Sequence, residues 1–415
     1  ALLARARGGH GGAVLLGGES GVGKSRLLDE LRCVALVQRT LVLGGQAQGE
    51  ARSGYELFAD IVPSLCLHAQ VDDEQAAVLQ LIDGRLAMRL GRTLPAPPTL
   101  QGEATEAQVL QLRLCEVLSS LLSRLQQPVL MLLEDLHRAD QASLELLRYI
   151  SQGVATQPVL IVATYRTDEA ADLPQVLPTL TPMRLARLGR PALDELCVAI
   201  LGPAGQNVEL CSLIEQETAG NAYFVVEALR ALAAESGGLD HIGRRGLPTE
   251  VLAGGIERML RGRAAGIPPP LLPMLQAAAV VGRYLDLPLL RDRVPTLDDL
   301  LPRATDVGVL EVHEGRYRFV QEKLLSILRE PLSRGDLLAL HSWAAATMTR
   351  LYGMGDSHLA QIAEQHRSAE EWDAAASGFA RAGERAFVRG APHAAVQLLS
   401  DAVVLHSQAS RPLLE

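Results

Sequence analysis

Residues 18–25 read Gly-Glu-Ser-Gly-Val-Gly-Lys-Ser and match the GxxxxGK[ST] pattern of a phosphate-gripping loop without a mismatch. The residue types explain the chemistry. Gly18, Gly21 and Gly23 permit backbone angles that a Cβ would block, so consecutive N–H groups can turn inward on phosphate oxygens. Lys24 is expected to reach the β- and γ-phosphates, and Ser25 to offer its hydroxyl to Mg²⁺. The nucleotide-binding run is read as Gly18, Glu19, Ser20, Gly21, Val22, Gly23, Lys24, Ser25 and Arg26. The chain has 39 basic residues, and all but two of the lysine and arginine side chains are Arg: the lysines are Lys24 and Lys323. One of the two sits inside the glycine-rich loop.

A loop of this kind needs a second element, a buried strand ending in a carboxylate that manages Mg²⁺. Gln126-Gln127-Pro128 breaks the helical pattern before the apolar run Val129–Leu133, and Glu134-Asp135 follow at once. Carboxylates at a strand's C-terminal end lie on the sheet edge where open α/β folds bind ligands. Glu134 is expected to hold Mg²⁺ or its waters, and Asp135 to polarise the attacking water as general base. A third apolar run, Val159–Thr164, follows Pro158 and a helix over Ala142–Ser151. Arg166, just past that strand, is placed to report a γ-phosphate.

The loop also needs a strand before it and a helix after it. Ala13–Leu16 reads as a buried parallel strand. Arg26–Val37 reads as a helix with Leu27, Leu28, Leu31, Val34 and Ala35 on one face. The wider composition sets bounds. The 415 residues are 48% hydrophobic and 21% charged, enough for a sizeable core in roughly two to four domains. A net charge of −9 speaks against a general nucleic-acid surface, and 3% aromatics against a base-stacking platform. No apolar run approaches the roughly 20 residues of a membrane span, and no secretory signal is present, so a cytoplasmic location is expected. The five cysteines (Cys33, Cys66, Cys115, Cys197, Cys211) form no CxxC pair and read as buried, reduced thiols. The chain starts at Ala1 and stops inside a helical pattern, which is expected of a segment of a longer protein.

The stretch Leu132-Leu133-Glu134-Asp135-Leu136-His137-Arg138-Ala139-Asp140, with Ala163-Thr164-Tyr165-Arg166-Thr167-Asp168-Glu169 and the segment Glu215–Glu227, resembles the signal-transduction ATPases with numerous domains, the STAND class. The bacterial branch of multidomain transcriptional regulators and kinase- or cyclase-linked sensors is the most similar. The resemblance implies an α/β P-loop NTPase core with a parallel, ASCE/AAA-like sheet, then a helical lid, a winged-helix domain and α-helical repeats. It implies that ADP holds an inactive form, that ATP opens it and allows assembly, and that Arg166 is the sensor arginine. Three positions depart from the family pattern: Arg138 stands where Trp is usual, Ala222 where Pro is usual and Gln321 where His is usual. The family's segment that contacts adenine would precede Ala1.

The remaining elements fit that order. The boundaries are read as an ATPase core over 1–188, a lid over 189–240, a winged-helix domain over 247–334 and helical repeats similar to tetratricopeptide repeats over 335–415, the start of a longer array. Between Gly44 and Glu103 lie helical patches at Tyr55–Leu67 and Asp73–Leu90 and a proline-rich loop over Arg92–Gln101. Glu103–Leu125 is a strong helix, and Met183–Leu185 a last core strand. Helices over Ala192–Leu201, Val208–Thr218 and Ala222–Ala234 make the lid, and Ser236–Gly246 a glycine-rich hinge. Further helices are read at Pro248–Leu260 and Leu271–Val281. Val309–Val312 and Arg316–Phe319, joined through Glu314, form a hairpin wing expected to pack within the molecule. Helices over Leu337–Leu351, Ser357–Ala369, Trp372–Val388 and Pro392–His406 suit a protein or peptide ligand. The histidines show no metal-ligand spacing, and His137 is a candidate to touch phosphate or a neighbouring subunit.

These readings converge on an ATP-binding, slowly hydrolysing switch module of a larger regulatory protein. ATP/ADP and Mg²⁺ are its expected ligands. A protein or peptide ligand, effector domains of the parent chain and a nucleotide-dependent homo-oligomer are its expected partners; DNA is not. The alternatives are a nucleotide-binding scaffold that does not hydrolyse, and a DNA-acting winged-helix ATPase.

Overall fold

The computed structural model describes residues 1–47, 54–98, 104–236, 255–313, 315–353 and 358–409. The expected hinge over Ser236–Gly246, the start of the helix expected at Pro248, the tip of the proline-rich loop and the hairpin residue Glu314 lie outside the described residues or at their margin. The chain divides into two compact units. One comprises Ala1–Gly18, Lys24–Arg184 and Met348–Glu415; the other comprises Glu19–Gly23 and Leu185–Thr347.

The first unit is built on five parallel strands: β1 (Gly12–Gly18), β2 (Leu41–Gln46), β3 (Val129–Glu134), β4 (Val159–Arg166) and β5 (Thr181–Arg184), in the order β2-β3-β4-β1-β5. The central strands are apolar throughout because both their faces are covered. Their side chains divide with period two. Val129, Met131 and Leu133 of β3 and Val159, Ile161, Ala163 and Tyr165 of β4 enter one large core. Leu130, Leu132, Leu160 and Val162 enter a thinner layer with Leu3, Ala6, Leu28 and Ala35. The thin layer is roofed by the helices Leu2–Arg7 and Lys24–Val37.

That roof corrects the expected face of the helix after the glycine loop. Leu28 and Ala35 are buried, but Leu27 and Val34 are 46% and 47% exposed. The helix meets the sheet along a narrower stripe than its apolar residues cover. Strand β2 is legible only afterwards, because Gly44 and Gly45 interrupt its apolar run. Gly45 is required by close approach: a Cβ there would lie 2.1 Å from the Leu57 carbonyl oxygen. The last strand pairs with β1 through Thr181–Arg184 rather than Met183–Leu185. As an exposed edge it tolerates Pro182 and shows little apolar pattern.

The thick core is filled by the helices Ile61–His68, Asp73–Leu79, Ala104–Arg124 and Gln141–Gly153, together with three C-terminal helices. These last, Leu359–Ser368, Trp372–Val388 and Pro392–Ala409, place Phe379, Ala382, Leu398 and Leu405 in the same core as Tyr55 and Leu57. The buried Tyr55 hydroxyl donates to the Gly390 carbonyl at 2.9 Å. Tyr55 has φ +59°, an unfavourable angle for a side chain of its size. Asp140 holds the turn: its carboxylate accepts from the N–H groups of Tyr55 and Glu56 at 3.0 and 3.2 Å. The same carboxylate caps the helix Gln141–Gly153 by accepting from the Ser143 N–H at 2.9 Å.

The second unit has two cores. Helices Arg190–Leu201, Val208–Thr218 and Ala222–Ser236 close around Leu193, Cys197, Leu210, Ile214, Val225 and Leu229. Helices Gly255–Ala265, Leu272–Val281, Leu287–Arg293, Leu297–Asp306 and Lys323–Arg329 close around Leu275, Leu290, Leu301, Phe319 and Leu324. Strands β6 (Leu310–His313) and β7 (Arg316–Phe319) pair antiparallel. The segment 283–285 lies along β7, with the Leu285 N–H donating to the Tyr317 carbonyl at 2.9 Å and the Phe319 N–H to Arg283 at 3.0 Å. Glu227 pairs with Arg263, whose Nη1 also donates to the Gly308 carbonyl at 3.0 Å. Cys33 is exposed, against expectation; the other four cysteines are buried. Burial pushes the Cys115 and Cys197 thiols up to about 12, which makes them poor nucleophiles at neutral pH.

Candidate active site

Parallel strands bring their C-terminal ends to one edge of the sheet. Gly18 of β1 is in register with Arg166 of β4, and Gln46 of β2 with Glu134 of β3. The residues expected to act therefore leave the sheet on the same side.

In the first unit, the Lys24 ammonium donates to the Gly18 carbonyl at 2.7 Å. Burial, and then the Arg166 charge, push its pKa down from 10.5 to about 8, against the opposite pull of Asp135, Asp168 and Glu169. Burial and a neighbouring cation disfavour the charged form of this group, so an anion arriving beside it is favoured. Ser25 Oγ donates to Glu134 Oε2 at 2.9 Å, across 109 residues of sequence. Glu134 is the last residue of β3 and is buried.

Asp135 takes φ +59° and turns the chain out of the sheet. Its N–H donates to Thr164 Oγ at 3.3 Å, and its Oδ2 accepts from the Gln46 amide at 2.9 Å. Arg166 is the last residue of β4, not a residue beyond it, and its guanidinium is bonded to Glu169. His137 lies in the short turn Leu136–Arg138 with its side chain buried, 3.4 Å from Glu169.

In the second unit, the loop residues Glu19–Gly23 lie with the helices Arg190–Leu201, Val208–Thr218 and Ala222–Ser236. The Asn221 amide donates to the Ser20 carbonyl at 2.9 Å, and the Tyr223 N–H to the Gly21 carbonyl at 3.0 Å. Arg187 donates to Glu19 Oε2 at 2.9 Å through Nε. Gly21 at φ +78° and Gly23 at φ +110° need the glycine backbone. At Gly21 a Cβ would also meet Asn221 Oδ1 at 2.8 Å.

Lys24, Ser25, Glu134, Asp135 and Arg166 thus share one sheet edge with Gly18. Glu19, Ser20, Gly21, Val22 and Gly23 form the backbone turn between Gly18 and Lys24. The Arg26 side chain does not join them: it is 79% exposed and pairs with Glu30 at 2.6 Å. Gln46, Thr164, Glu169 and Asn221 carry partners of the site that sequence reasoning did not single out. Gln46 ends a strand hidden by its glycines, and Thr164 reads as strand interior. Glu169 and Asn221 lie inside the stretches that carry the STAND resemblance, which is the only signal that marked them.

The donor set fits Mg²⁺. Ser25 and Glu134 offer two hard oxygens, and Mg²⁺ usually combines one or two protein oxygens with phosphates and water. Among the described residues no cluster of three or more His, Cys, Asp or Glu forms a protein-only cage.

Residues 1–162 match the AAA ATPase domain family. Comparison with curated proteins finds no match. Among solved structures, the STAND protein with a tetratricopeptide repeat sensor from Pyrococcus horikoshii aligns with 100% of this chain at 13% identity and a TM-score of 0.51. The chain spans 58% of that protein's length, and the likeness is one of fold. The Walker-type ATPase of Pyrococcus abyssi aligns over 76% of this chain and 90% of its own, at 14% identity and TM-score 0.31. Cdc6p from Pyrobaculum aerophilum aligns over 80% and 92%, at 14% identity and TM-score 0.38. The fold is an α/β P-loop ATPase core with a helical region after it. Among the described residues no helix is long and apolar enough to cross a membrane.

Proposed function

We propose, from an AAA ATPase domain over residues 1–162, that the chain is an ATP-binding, slowly hydrolysing switch module of a larger regulatory protein. The observation that carries this is the Ser25 hydroxyl on the Glu134 carboxylate at 2.9 Å, next in sequence to the Lys24 ammonium. A hydroxyl, a carboxylate and a cation on one sheet edge suit a magnesium-bound triphosphate.

ATP is the substrate. The amides of Gly18–Gly23 and the Lys24 ammonium hold its phosphates, while Ser25 and Glu134 hold Mg²⁺. Bound Mg²⁺ supplies neutralisation of phosphate charge. Asp135 accepts a proton from the water that attacks the γ-phosphorus. The bond from that phosphorus to the bridging oxygen breaks, and its electron pair leaves with ADP. Arg166 senses the γ-phosphate. Turnover is slow because hydrolysis acts as a timer. The loop residues Ser20 and Gly21 bond to Asn221 and Tyr223 of the lid within one compact unit, which gives the loop a direct route to the lid.

The proposed order of parts is core (1–188), lid (189–240), winged helix (247–334) and repeats of tetratricopeptide type (335–415). The hairpin β6–β7 with its added segment 283–285 supports the winged-helix assignment. The helix pair Trp372–Val388 and Pro392–Ala409 supports the repeats, which suit a protein or peptide ligand. ADP favours the inactive state; ATP favours the active one and homo-oligomer formation.

Single turnover with Mg-ATP tests the reading. Asp135→Asn is expected to keep nucleotide binding and to lose about 100-fold or more in hydrolysis. A wild type that binds ATP but shows no turnover favours the non-hydrolysing scaffold. The Gln46 amide on the Asp135 carboxylate is the observation behind that second reading.

A further inference from the structure

The guanidinium of Arg166 donates through Nη1 to Oε1 of Glu169, one turn further along the chain. The second oxygen of that carboxylate, Oε2, stands 3.4 Å from Nε2 of His137. The His137 side chain is 1% exposed, and neither of its ring nitrogens has a hydrogen-bond partner. A buried polar atom without a partner costs about 1–3 kcal/mol. Glu169 thus stands between a cation it already holds and a buried ring that lacks a bond.

We propose that Glu169 and His137 are positioning residues for Arg166. Glu169 keeps the guanidinium in place when no γ-phosphate is present, and His137 takes over the Glu169 carboxylate when Arg166 turns to the phosphate. The proposal rests on the ATPase reading above.

The physical reason is the fate of the carboxylate. If Arg166 left with nothing to replace it, the Glu169 carboxylate would lose a charge-assisted hydrogen bond. His137 Nε2–H, already near Oε2, supplies a replacement and gains the bond it lacks. Burial lowers the pKa of His137, although Asp135 and Glu169 oppose this, and a neutral ring with its proton on Nε2 is enough for the exchange. ADP has no γ-phosphate and drives no exchange. The two residues therefore set the preference for ATP over ADP, and leave the grip on the diphosphate unchanged.

The test is calorimetric titration of the full chain with Mg-ADP and with the Mg complex of the β,γ-imido analogue of ATP. Weakening the hold on Arg166 by Glu169→Gln or Glu169→Ala is expected to tighten analogue binding about 3- to 10-fold, with ADP binding within about twofold of wild type. His137→Phe fills the same space without a donor and is expected to weaken analogue binding about 5- to 10-fold at constant ADP affinity. His137→Gln, which restores a donor, should recover most of that loss. Both effects should vanish in an Arg166→Ala background, because both act through the guanidinium. The proposal is overturned if ADP and analogue affinities move together, or if the effects persist without Arg166. A wild type that binds neither nucleotide removes the ATPase reading and this proposal with it; binding with an unmoved ratio removes this proposal alone.

Discussion

Replacing Lys24 by methionine is expected to stabilise the nucleotide-free protein while removing its hold on nucleotide. The ammonium is kept near the sheet edge by its bond to the Gly18 carbonyl, yet burial and the Arg166 charge bring its pKa from 10.5 to about 8. That difference corresponds to at most about 3 kcal/mol of penalty on the charged form. The ammonium is only partly buried, so screening reduces the figure. Losing the hydrogen bond to Gly18 returns about 1 kcal/mol in the other direction. The net gain for Lys24→Met is then about 1 kcal/mol, or roughly 2–4 °C in the melting temperature of a unit this size. The pH dependence has a definite direction. Because the folded-state pKa is lowered, the penalty in the wild type is complete below about pH 8 and is relieved as pH rises from about 8 to 10.5. The variant's advantage should be widest at pH 7 and should shrink, then reverse, toward pH 10.5 as the wild-type penalty is relieved. Thermal unfolding across that range, with and without Mg-ATP, measures both effects. Wild type should gain stability with nucleotide, and Lys24→Met should gain none. A variant less stable than wild type at pH 7, a gap that stays constant with pH, or an undiminished response to Mg-ATP would refute the reasoning.

Other substitutions probe the scaffold. Gly21→Ala combines a backbone at φ +78° with a 2.8 Å approach to Asn221, and is expected to weaken nucleotide binding at least about 10-fold and to lower stability by about 1–2 kcal/mol, read by calorimetry and denaturant unfolding. Tyr55→Phe removes a buried hydrogen bond to a carbonyl 335 residues away, and should cost about 1–2 kcal/mol in the unfolding of the first unit. Phe379→Ala should cost about 3–5 kcal/mol in the same transition if the C-terminal helices share the ATPase core. An independent, earlier unfolding step for residues 359–409, seen by hydrogen exchange, would contradict that shared core. Double-stranded DNA should leave ATP turnover unchanged at physiological salt, consistent with the net charge of −9.

The placement of the glycine loop and of the Glu134-Asp135 pair at strand ends was legible in the sequence because both are local. A turn that needs glycine angles, a cation at a set spacing and an apolar run ending in acids are each written within a dozen residues. The buried strands β1, β3 and β4 were legible for the same reason: apolar runs of this length record burial on both faces. Helix positions agreed within a few residues wherever the spacing was regular, as at Trp372–Val388.

Tertiary structure decided the rest. The strand order β2-β3-β4-β1-β5 placed Gln46 on Asp135 across 89 residues, and no local pattern encodes that neighbour. It also decided that Leu27 and Val34 face solvent, since the width of the stripe a helix buries depends on what lies beneath it. The grouping of residues 348–409 with the ATPase core rests on distant apolar residues such as Phe379 and Leu398 sharing one core with Leu57, and Tyr55 and Gly390 add a hydrogen bond across 335 residues. Likewise Glu169 reads as one more acid after a strand until the fold sets its two oxygens toward Arg166 and His137. Residue type and spacing determine which reactions are chemically available. Which side chain stands beside which is set by packing between distant segments, and burial gives those few contacts their strength.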